Sequence, residues 1–132
     1  MCVHPSFWCS SCFRFCRRVA ASFCFRRWGR AALSALPAYA ATKGAIDTLV
    51  KHFASLLGAR GIRVNGVAPG VVETDMSAFA KTDEGREYAL GMQAFKRLAQ
   101  AGDIGGVVAF LASDDARWIT GDTIHVDGGS KL

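Results

Sequence analysis

The feature that most constrains the fold is a long amphipathic helix followed at once by a short apolar run. Apolar residues from position 39 to 59 recur every three or four positions, which predicts one helix with a buried face. Residues 62–68 alternate and then run apolar up to Pro69-Gly70, which is typical of a buried strand that ends in a turn. The predicted buried face of the helix comprises Ile46, Leu49, Val50, Phe53, Leu56 and Leu57.

A second helix and a second strand follow a polar stretch. Residues 71–102 predict a mobile loop with short helical pieces. Asp103 can cap a helix that continues through Leu111, and residues 122–126 predict a last strand. A strand–helix–strand order with buried strands predicts an α/β fold with a parallel sheet. With only two strands identified, we expect the strand over 62–68 to have an open edge that invites association.

Residues 1–28 differ in composition from the rest of the chain. They contain five Cys, five Phe, five Arg, four Ser and two Trp, but no Leu, Ile, Gly, Asp or Glu. From Gly29 onward the composition is that of an ordinary globular protein. We therefore predict that residues 1–28 are an atypical segment outside the fold and that residues 29–132 are the folded domain.

Four interpretations of the atypical segment are open. A secretory signal needs an uninterrupted apolar stretch, which arginines interrupt here, and an organelle transit peptide is not usually rich in cysteine and aromatic residues. A zinc site could use His4, Cys9, Cys12 and Cys16, but a second closely spaced cysteine pair is missing. We favour the fourth interpretation, in which a shifted reading frame or a mis-called start produced the segment, and we predict no metal site.

The net charge of +5 is unevenly distributed. Residues 1–46 carry six Arg, one Lys and no acidic residue, a charge of +7, whereas residues 47–132 carry nine basic and eleven acidic residues, a charge of −2. The predicted domain thus lacks the basic excess of a nucleic-acid-binding face. Its longest nearly apolar run, residues 105–112, is far shorter than the ~20 residues that span a bilayer. We expect no nucleic-acid or membrane partner and a cytoplasmic location.

The sharpest chemical feature is Tyr39-Ala-Ala-Thr-Lys43 near the start of the long helix. Residues four apart lie on one face of a helix, so the lysine ammonium can approach the tyrosine phenol. A neighbouring cation favours phenolate and lowers the phenol pKa from its ordinary value of ~10. Such a phenol can exchange protons near neutral pH. The same spacing also occurs by chance on ordinary helices, so the pair alone does not define a site.

Five further motifs come after this pair in a fixed order. They are Gly61-Ile-Arg-Val-Asn-Gly-Val-Ala-Pro-Gly70, Thr74-Asp-Met76, Phe110-Leu-Ala-Ser113, Ile119-Thr-Gly121 and Val126-Asp-Gly-Gly129. Together these motifs resemble the carboxyl-terminal half of a short-chain dehydrogenase/reductase over about residues 29–132, most of all the group with 3-oxoacyl-carrier-protein reductases. The resemblance implies part of a Rossmann-type doubly wound parallel sheet, NAD or NADP as cofactor, and interconversion of a small-molecule secondary alcohol and a ketone.

The resemblance also implies roles for the catalytic pair. Tyr39 would exchange a proton with the substrate oxygen, and Lys43 would lower its pKa and hold the nicotinamide ribose hydroxyls. The family's catalytic serine lies thirteen positions before the tyrosine, where this chain has Arg26, and Ser34 lies too close to replace it. Asn65 belongs to a strand motif and does not match the family's catalytic asparagine.

The nicotinamide is expected beside the end of the first predicted strand. By the same resemblance, Pro69, Gly70 and the backbone of Val72 would flank its ring, with Thr74 bonding near its carboxamide or the phosphates. Residues 73–97 would cover the substrate. Without the resemblance, Pro69-Gly70 is an ordinary turn and Thr74 an ordinary helix cap.

The family's glycine-rich phosphate-binding turn is not found in this sequence. We therefore expect the chain alone to be inactive, as a fragment of such an oxidoreductase. The alternative is an inactive remnant that acts as an oligomerisation or interaction module, with a homo-oligomer as one outcome, because the long helix and the last strand resemble elements that the family uses in subunit contacts.

Overall fold

The computed structural model describes residues 19–23 and 37–130. These ranges form three strands, three α-helices and two 3-10 segments. In chain order they are β1 (Val19–Phe23), α1 (Pro37–Gly58), β2 (Arg63–Pro69), the 3-10 segment Asp75–Lys81, α2 (Asp83–Gly91), α3 (Ala101–Ala112), the 3-10 segment Asp114–Ala116 and β3 (Thr123–Val126). Within this described part, no helix combines the length and the apolar character needed to cross a bilayer.

The strands form one parallel sheet in the order β1-β2-β3. Val19 pairs with Arg63 at the start of the first ladder, and Gly66 pairs with Thr123 at the start of the second. β2 therefore has a partner on each side. The expectation that residues 62–68 would have an open edge is wrong, because β1 and β3 cover both edges.

β1 comes from the segment that composition placed outside the fold. Its residues, Val19-Ala-Ala-Ser-Phe23, include neither arginine nor cysteine, whereas Arg18 and Cys24 flank them. A composition averaged over 28 residues concealed this short apolar run, so the structure has a strand that the sequence analysis did not predict. The other residues of 1–28 lie outside the described part of the chain, and the domain boundary at residue 29 stays a prediction.

Helices cover both faces of the sheet. Val67 of β2 packs with Leu111 of α3 and with Ala116 in one apolar cluster. The preceding residue, Gly66, lies against Thr123, whose hydroxyl bonds to α1. Because successive strand residues point to opposite faces, α1 and α3 lie on opposite sides of the sheet. This arrangement confirms the α/β, doubly wound fold.

α1 begins and ends within two residues of the helix predicted over 39–59, and Pro37 occupies its first position, where proline fits a helix. Its buried face is narrower than predicted. Val50 and Ala54, one turn apart, are buried. Three apolar residues of the predicted face are instead 44–66% exposed: Phe53, Leu49 and Leu56. α1 packs mainly on β2, and one strand covers only the strip of helix surface that faces it.

The polar segment between β2 and α3 contains helical pieces, as predicted. It also has an apolar core of its own, which the sequence pattern did not indicate. Its buried members are Val71, Ala80, Ala89 and Leu98. The segment therefore packs on itself, and its mobility stays a prediction.

Candidate active site

The topology of the sheet brings the predicted site residues to one edge. All three strands are parallel, so their carboxyl ends lie at the same edge. α1 follows β1 in the chain and leads back to the start of β2, so its first turns lie at that carboxyl edge. Tyr39 and Lys43 occupy these turns, and Pro69 ends the adjacent strand. Tyr39, Lys43 and the end of β2 therefore lie at the same carboxyl edge of the sheet.

Tyr39 and Lys43 are one turn apart on α1, as the spacing predicts. Four residues of α-helix rise about 6 Å and complete slightly more than one revolution, which keeps both residues on one side of the helix. Lys43 is partly buried. The proton-transfer role of the pair stays a prediction.

Gly70 is held directly against the end of β3. Its N–H donates to the carbonyl oxygen of Val126 over 3.0 Å. A Cβ on Gly70 would lie 2.8 Å from Cα and 3.0 Å from the carbonyl oxygen of Asp127. Only glycine allows such a close backbone approach. Pro69-Gly70 thus does more than turn the chain, because it also joins the end of β2 to β3.

Val72 presents its backbone polar groups away from the nearest neighbouring segment. It forms a parallel bridge with Ala99, in which the Glu73 N–H donates to the Ala99 carbonyl over 2.9 Å and the Ala99 N–H donates to the Val71 carbonyl over 3.1 Å. Val72 contributes neither its own N–H nor its own C=O to this bridge. The alternation of an extended chain directs both groups to the opposite side. The N–H donor and the C=O acceptor of Val72 therefore lie next to each other at the carboxyl edge.

Thr74 is exposed and extended immediately before the first 3-10 segment, with φ −143° and ψ 171°. Its side chain makes no capping hydrogen bond, so the helix-cap interpretation is not supported. Thr82 caps a helix instead, since its hydroxyl oxygen accepts the Gly85 N–H over 3.2 Å at the start of α2. Thr74 thus leaves an exposed hydroxyl close to Val72 in the chain.

A series of side-chain contacts that was not predicted from the sequence joins this edge to α3. The Gln100 side-chain amide donates to the Glu73 carboxylate over 2.5 Å. The Gln100 backbone N–H donates to the Asp103 carboxylate over 2.8 Å, and Arg97 donates two hydrogen bonds to the same carboxylate over 2.6 and 2.8 Å. The spacing Gln100-x-x-Asp103 is a helix-start signal that could have located part of this series. Glu73 lies too far away in the chain for any local pattern to reveal its contact.

Asp103 stabilises the start of α3 from a position within the helix. α3 begins at Ala101, two residues before the cap position that the sequence predicts. Hydrogen bonding to Arg97, and next to the Gln100 N–H, holds the pKa of Asp103 well below its ordinary value. The same contact raises the pKa of Arg97. Arg97, at the end of the predicted substrate loop, is therefore paired with α3.

Asn65 has a structural position. It is 2% exposed, and its side-chain amide donates to the Ile119 carbonyl over 2.8 Å. Its side-chain oxygen accepts the Asp122 N–H over 3.3 Å. It thus joins β2 to the turn before β3 and lies outside the candidate site, as the sequence analysis expects.

Some predicted features lie outside the described residues. They are Arg26, Ser34 and the alternative zinc ligands His4, Cys9, Cys12 and Cys16. Among residues 19–23 and 37–130, no group of three or more His, Cys, Asp or Glu side chains is placed to hold a metal ion.

Comparisons with known proteins support the fold. The family model described as enoyl-(acyl carrier protein) reductase matches residues 24–131. The chain is 50% identical over 94 residues to the 3-oxoacyl-[acyl-carrier-protein] reductase FabG of Staphylococcus aureus, which covers 71% of this chain and 38% of that protein. The corresponding reductase of Haemophilus influenzae is 48% identical over 94 residues, with the same coverage.

Solved structures are also similar. The NADP-bound angucycline C-6 ketoreductase LanV superimposes with a TM-score of 0.77 at 38% identity, covering 86% of this chain and 44% of that one. A short-chain type dehydrogenase/reductase from Mycobacterium ulcerans gives 0.80 at 30% identity, covering 88% and 42%. A 4-hydroxyisoleucine dehydrogenase complexed with NADH gives 0.80 at 28% identity, covering 89% and 49%.

Parallel strands with helices on both faces define a Rossmann-type α/β protein. More particularly, the chain belongs to the short-chain dehydrogenase/reductase family. This confirms the resemblance that the sequence motifs indicate. The chain spans 38% of the length of the curated relatives it matches.

Proposed function

We propose that residues 29–132 are the carboxyl-terminal part of an NAD(P)-dependent oxidoreductase that interconverts a small-molecule secondary alcohol and a ketone. The observation that carries this proposal is the shared position of the Tyr39–Lys43 turns and the end of β2 at one carboxyl edge. In open α/β sheets, ligands bind outside the carboxyl ends of the strands. The names of the relatives, a 3-oxoacyl reductase and a ketoreductase, support the reaction class.

In this proposal Tyr39 transfers the proton, with Lys43 as its partner on α1. Tyr39 gives a proton to the substrate oxygen in reduction and takes it back in oxidation. Lys43 favours the phenolate of Tyr39, because a nearby cation stabilises the charged form, and binds the ribose hydroxyls of the cofactor. The bound nicotinamide supplies or accepts the hydride.

The end of β2 fits the nicotinamide side of the cofactor. Gly70, next to Pro69, is held directly against the end of β3, because its N–H bonds to Val126 and no side chain fits at position 70. The N–H and C=O of Val72 match the acceptor and donor of a carboxamide, and Thr74 adds an exposed hydroxyl. Relatives bound to NADP and to NADH support either NAD or NADP as cofactor.

Spectrophotometric titration of Tyr39 tests the role of the pair without requiring turnover. Tyr39 and Tyr88 are the two tyrosines of the chain, so a Tyr88→Phe background isolates the Tyr39 signal. We expect tyrosinate absorbance to appear below the ordinary midpoint of ~10, and Lys43→Met to raise that midpoint. Lys51→Met, at an exposed position two turns further along α1, should leave it unchanged. A midpoint near 10 that is the same in the parent and in Lys43→Met would contradict the proposal.

We expect no measurable nicotinamide oxidation or reduction by the 132-residue chain. Its sequence has neither the glycine-rich phosphate turn nor a serine at the family's position, and loss of one preorganised donor alone typically lowers rates by ~10²–10³. Turnover that disappears in Tyr39→Phe would show this expectation to be wrong. The cytoplasmic location stays a prediction.

A second candidate function, oligomerisation or interaction with a related chain, is favoured by the exposed stripe of α1. Leu49, Phe53 and Leu56 succeed one another at helical spacing and are 44–66% exposed. Light scattering should show a larger species that Leu56→Lys reduces to a monomer. Trp118→Lys, at an isolated site that is 97% exposed, is the matched control and should not change the size. A monomeric parent chain would remove this candidate.

A further inference from the structure

Thr123 of β3 connects the sheet to α1. Its hydroxyl donates to the Asp47 carboxylate over 3.0 Å, and both side chains are partly buried. The two residues are 76 positions apart, so the bond joins distant parts of the chain. No motif in the sequence analysis includes either residue.

A glycine in β2 makes this contact possible. Gly66 pairs with Thr123 across the sheet. A Cβ on Gly66 would lie 2.8 Å from the Thr123 hydroxyl oxygen and 3.3 Å from its methyl carbon. The Thr123 side chain therefore occupies the space that a side chain at position 66 would fill, and from there it reaches α1.

The acceptor of this bond lies on the helix that carries the proposed catalytic pair. Asp47 is one turn beyond Lys43 and two turns beyond Tyr39 on α1. The buried contacts of Val50 and Ala54 are apolar and non-directional, whereas a hydrogen bond requires a defined distance and angle. The Thr123–Asp47 bond thus restricts how far α1 can slide or rotate on the sheet.

We infer that Thr123, through its hydrogen bond to Asp47, is a positioning residue that sets Tyr39 and Lys43 against the carboxyl edge of the sheet. The inference rests on the proposed function of that pair. Reactions of this kind are sensitive to placement, since an error of about 1 Å can lower a rate ~10²-fold. Thr123 itself acts only through α1.

Titration of Tyr39 in the Tyr88→Phe background tests the inference on the full chain. Thr123→Val keeps the shape of the side chain but removes the hydroxyl. Because Tyr39 and Lys43 lie on the same helix and move together, we expect the Tyr39 midpoint to shift through the changed exposure of both residues to water at the carboxyl edge. Thr123→Ser keeps the hydroxyl and should restore the parent midpoint. Substitution is made at Thr123 because the charge of Asp47 would act directly on Lys43 and Tyr39.

A second measurement tracks the position of α1 independently of any titration. A Cβ on Gly121 would lie 3.3 Å from Cβ of Ala54, so the Ala54 methyl group and the Gly121 α-protons should give a strong nuclear Overhauser effect. This signal should weaken in Thr123→Val and return in Thr123→Ser. Thr123→Ala replaces the valine variant if valine prevents folding.

The two measurements separate failure of the inference from failure of the proposed function. A low parent midpoint that Thr123→Val does not change overturns the inference and leaves the proposed function standing. A parent midpoint of ~10 overturns the proposed function, and the Ala54–Gly121 signal then decides the inference. If that signal is equal in the parent, valine and serine chains, α1 is not positioned by Thr123.

Discussion

The proposed cofactor site has two parts, the stretch after β2 and the first turns of α1. These two sides of the site are attached to the sheet in different ways. The stretch after β2 is attached through backbone hydrogen bonds. Gly70 bonds to Val126, and Glu73 bonds to Ala99. Because these bonds use no side chains, most substitutions along this stretch leave them intact. The exception is any substitution that separates the backbones themselves.

α1, on the other side, is attached mainly through side chains. Val50 and Ala54 are its buried contacts, and Thr123 bonds to Asp47. Such an attachment can be weakened one residue at a time. The nicotinamide side therefore depends on close backbone approach, whereas the placement of the proton-transfer pair depends on a few side chains.

The largest effect is expected when the backbone attachment is broken. Gly70→Ala would place a methyl group against the backbone of Asp127, so either the chain moves or the β2–β3 junction opens. We expect the free energy of unfolding in urea to fall by about 2–3 kcal/mol. Gly44→Ala is the matched control, because nothing lies within 4 Å of its added methyl group on α1. It should raise stability by ~0.5–1 kcal/mol. Equal stability of the two variants would contradict the close-approach argument.

A smaller effect is expected from the side-chain attachment of α1. Val50 is 2% exposed, and its neighbour Leu49 is 48% exposed. Val50→Ala should lower the free energy of unfolding by about 1–2 kcal/mol, through lost burial and a small cavity. Leu49→Ala removes more apolar atoms but should cost about 0.5 kcal/mol or less. A larger loss from Leu49→Ala would mean that the exposed stripe of α1 is covered in solution.

Local patterns predicted most of the regular structure. Apolar periodicity located α1 and β2 to within two residues, because the contacts that form a helix and the alternation of a strand are encoded by near neighbours. The Tyr39–Lys43 spacing likewise predicted two residues on one helix face. The roles proposed for Pro69, Gly70 and Val72 come instead from the resemblance to the family, because spacing alone indicates only a turn at that point.

Features that depend on distant residues were not predictable in this way. β1 became recognisable as a strand only through its pairing with β2. The exposure of Leu56 depends on how little of α1 the sheet covers. The contacts Glu73–Gln100 and Asp47–Thr123 join residues 27 and 76 positions apart. Each of these is set by tertiary packing, which a single sequence does not encode locally.

The smallest effect is expected where the stretch after β2 meets α3, at the contact through which Asp103 stabilises the start of that helix. Because hydrogen bonding to Arg97 and the Gln100 N–H lowers the pKa of Asp103, its ionised form stabilises the folded state. This contribution is fully present above the unfolded pKa of ~3.9 and is lost as the pH falls through the lower folded pKa. At pH 7, Asp103→Asn should therefore be less stable than the parent chain. The loss in the free energy of unfolding should be smaller than the loss in Val50→Ala.

Acid titration sharpens this last comparison. The stability gap between the parent and Asp103→Asn should stay constant from pH 7 to about pH 5 and narrow as the pH falls below ~4. Asp75→Asn is the control, because Asp75 is an exposed partner of Lys81 outside the start of α3. It should leave stability unchanged at pH 7, since exposed ion pairs contribute little. A gap that widens on acidification would show that Asp103 stabilises the helix start through its protonated form, and the low pKa would then have to be abandoned.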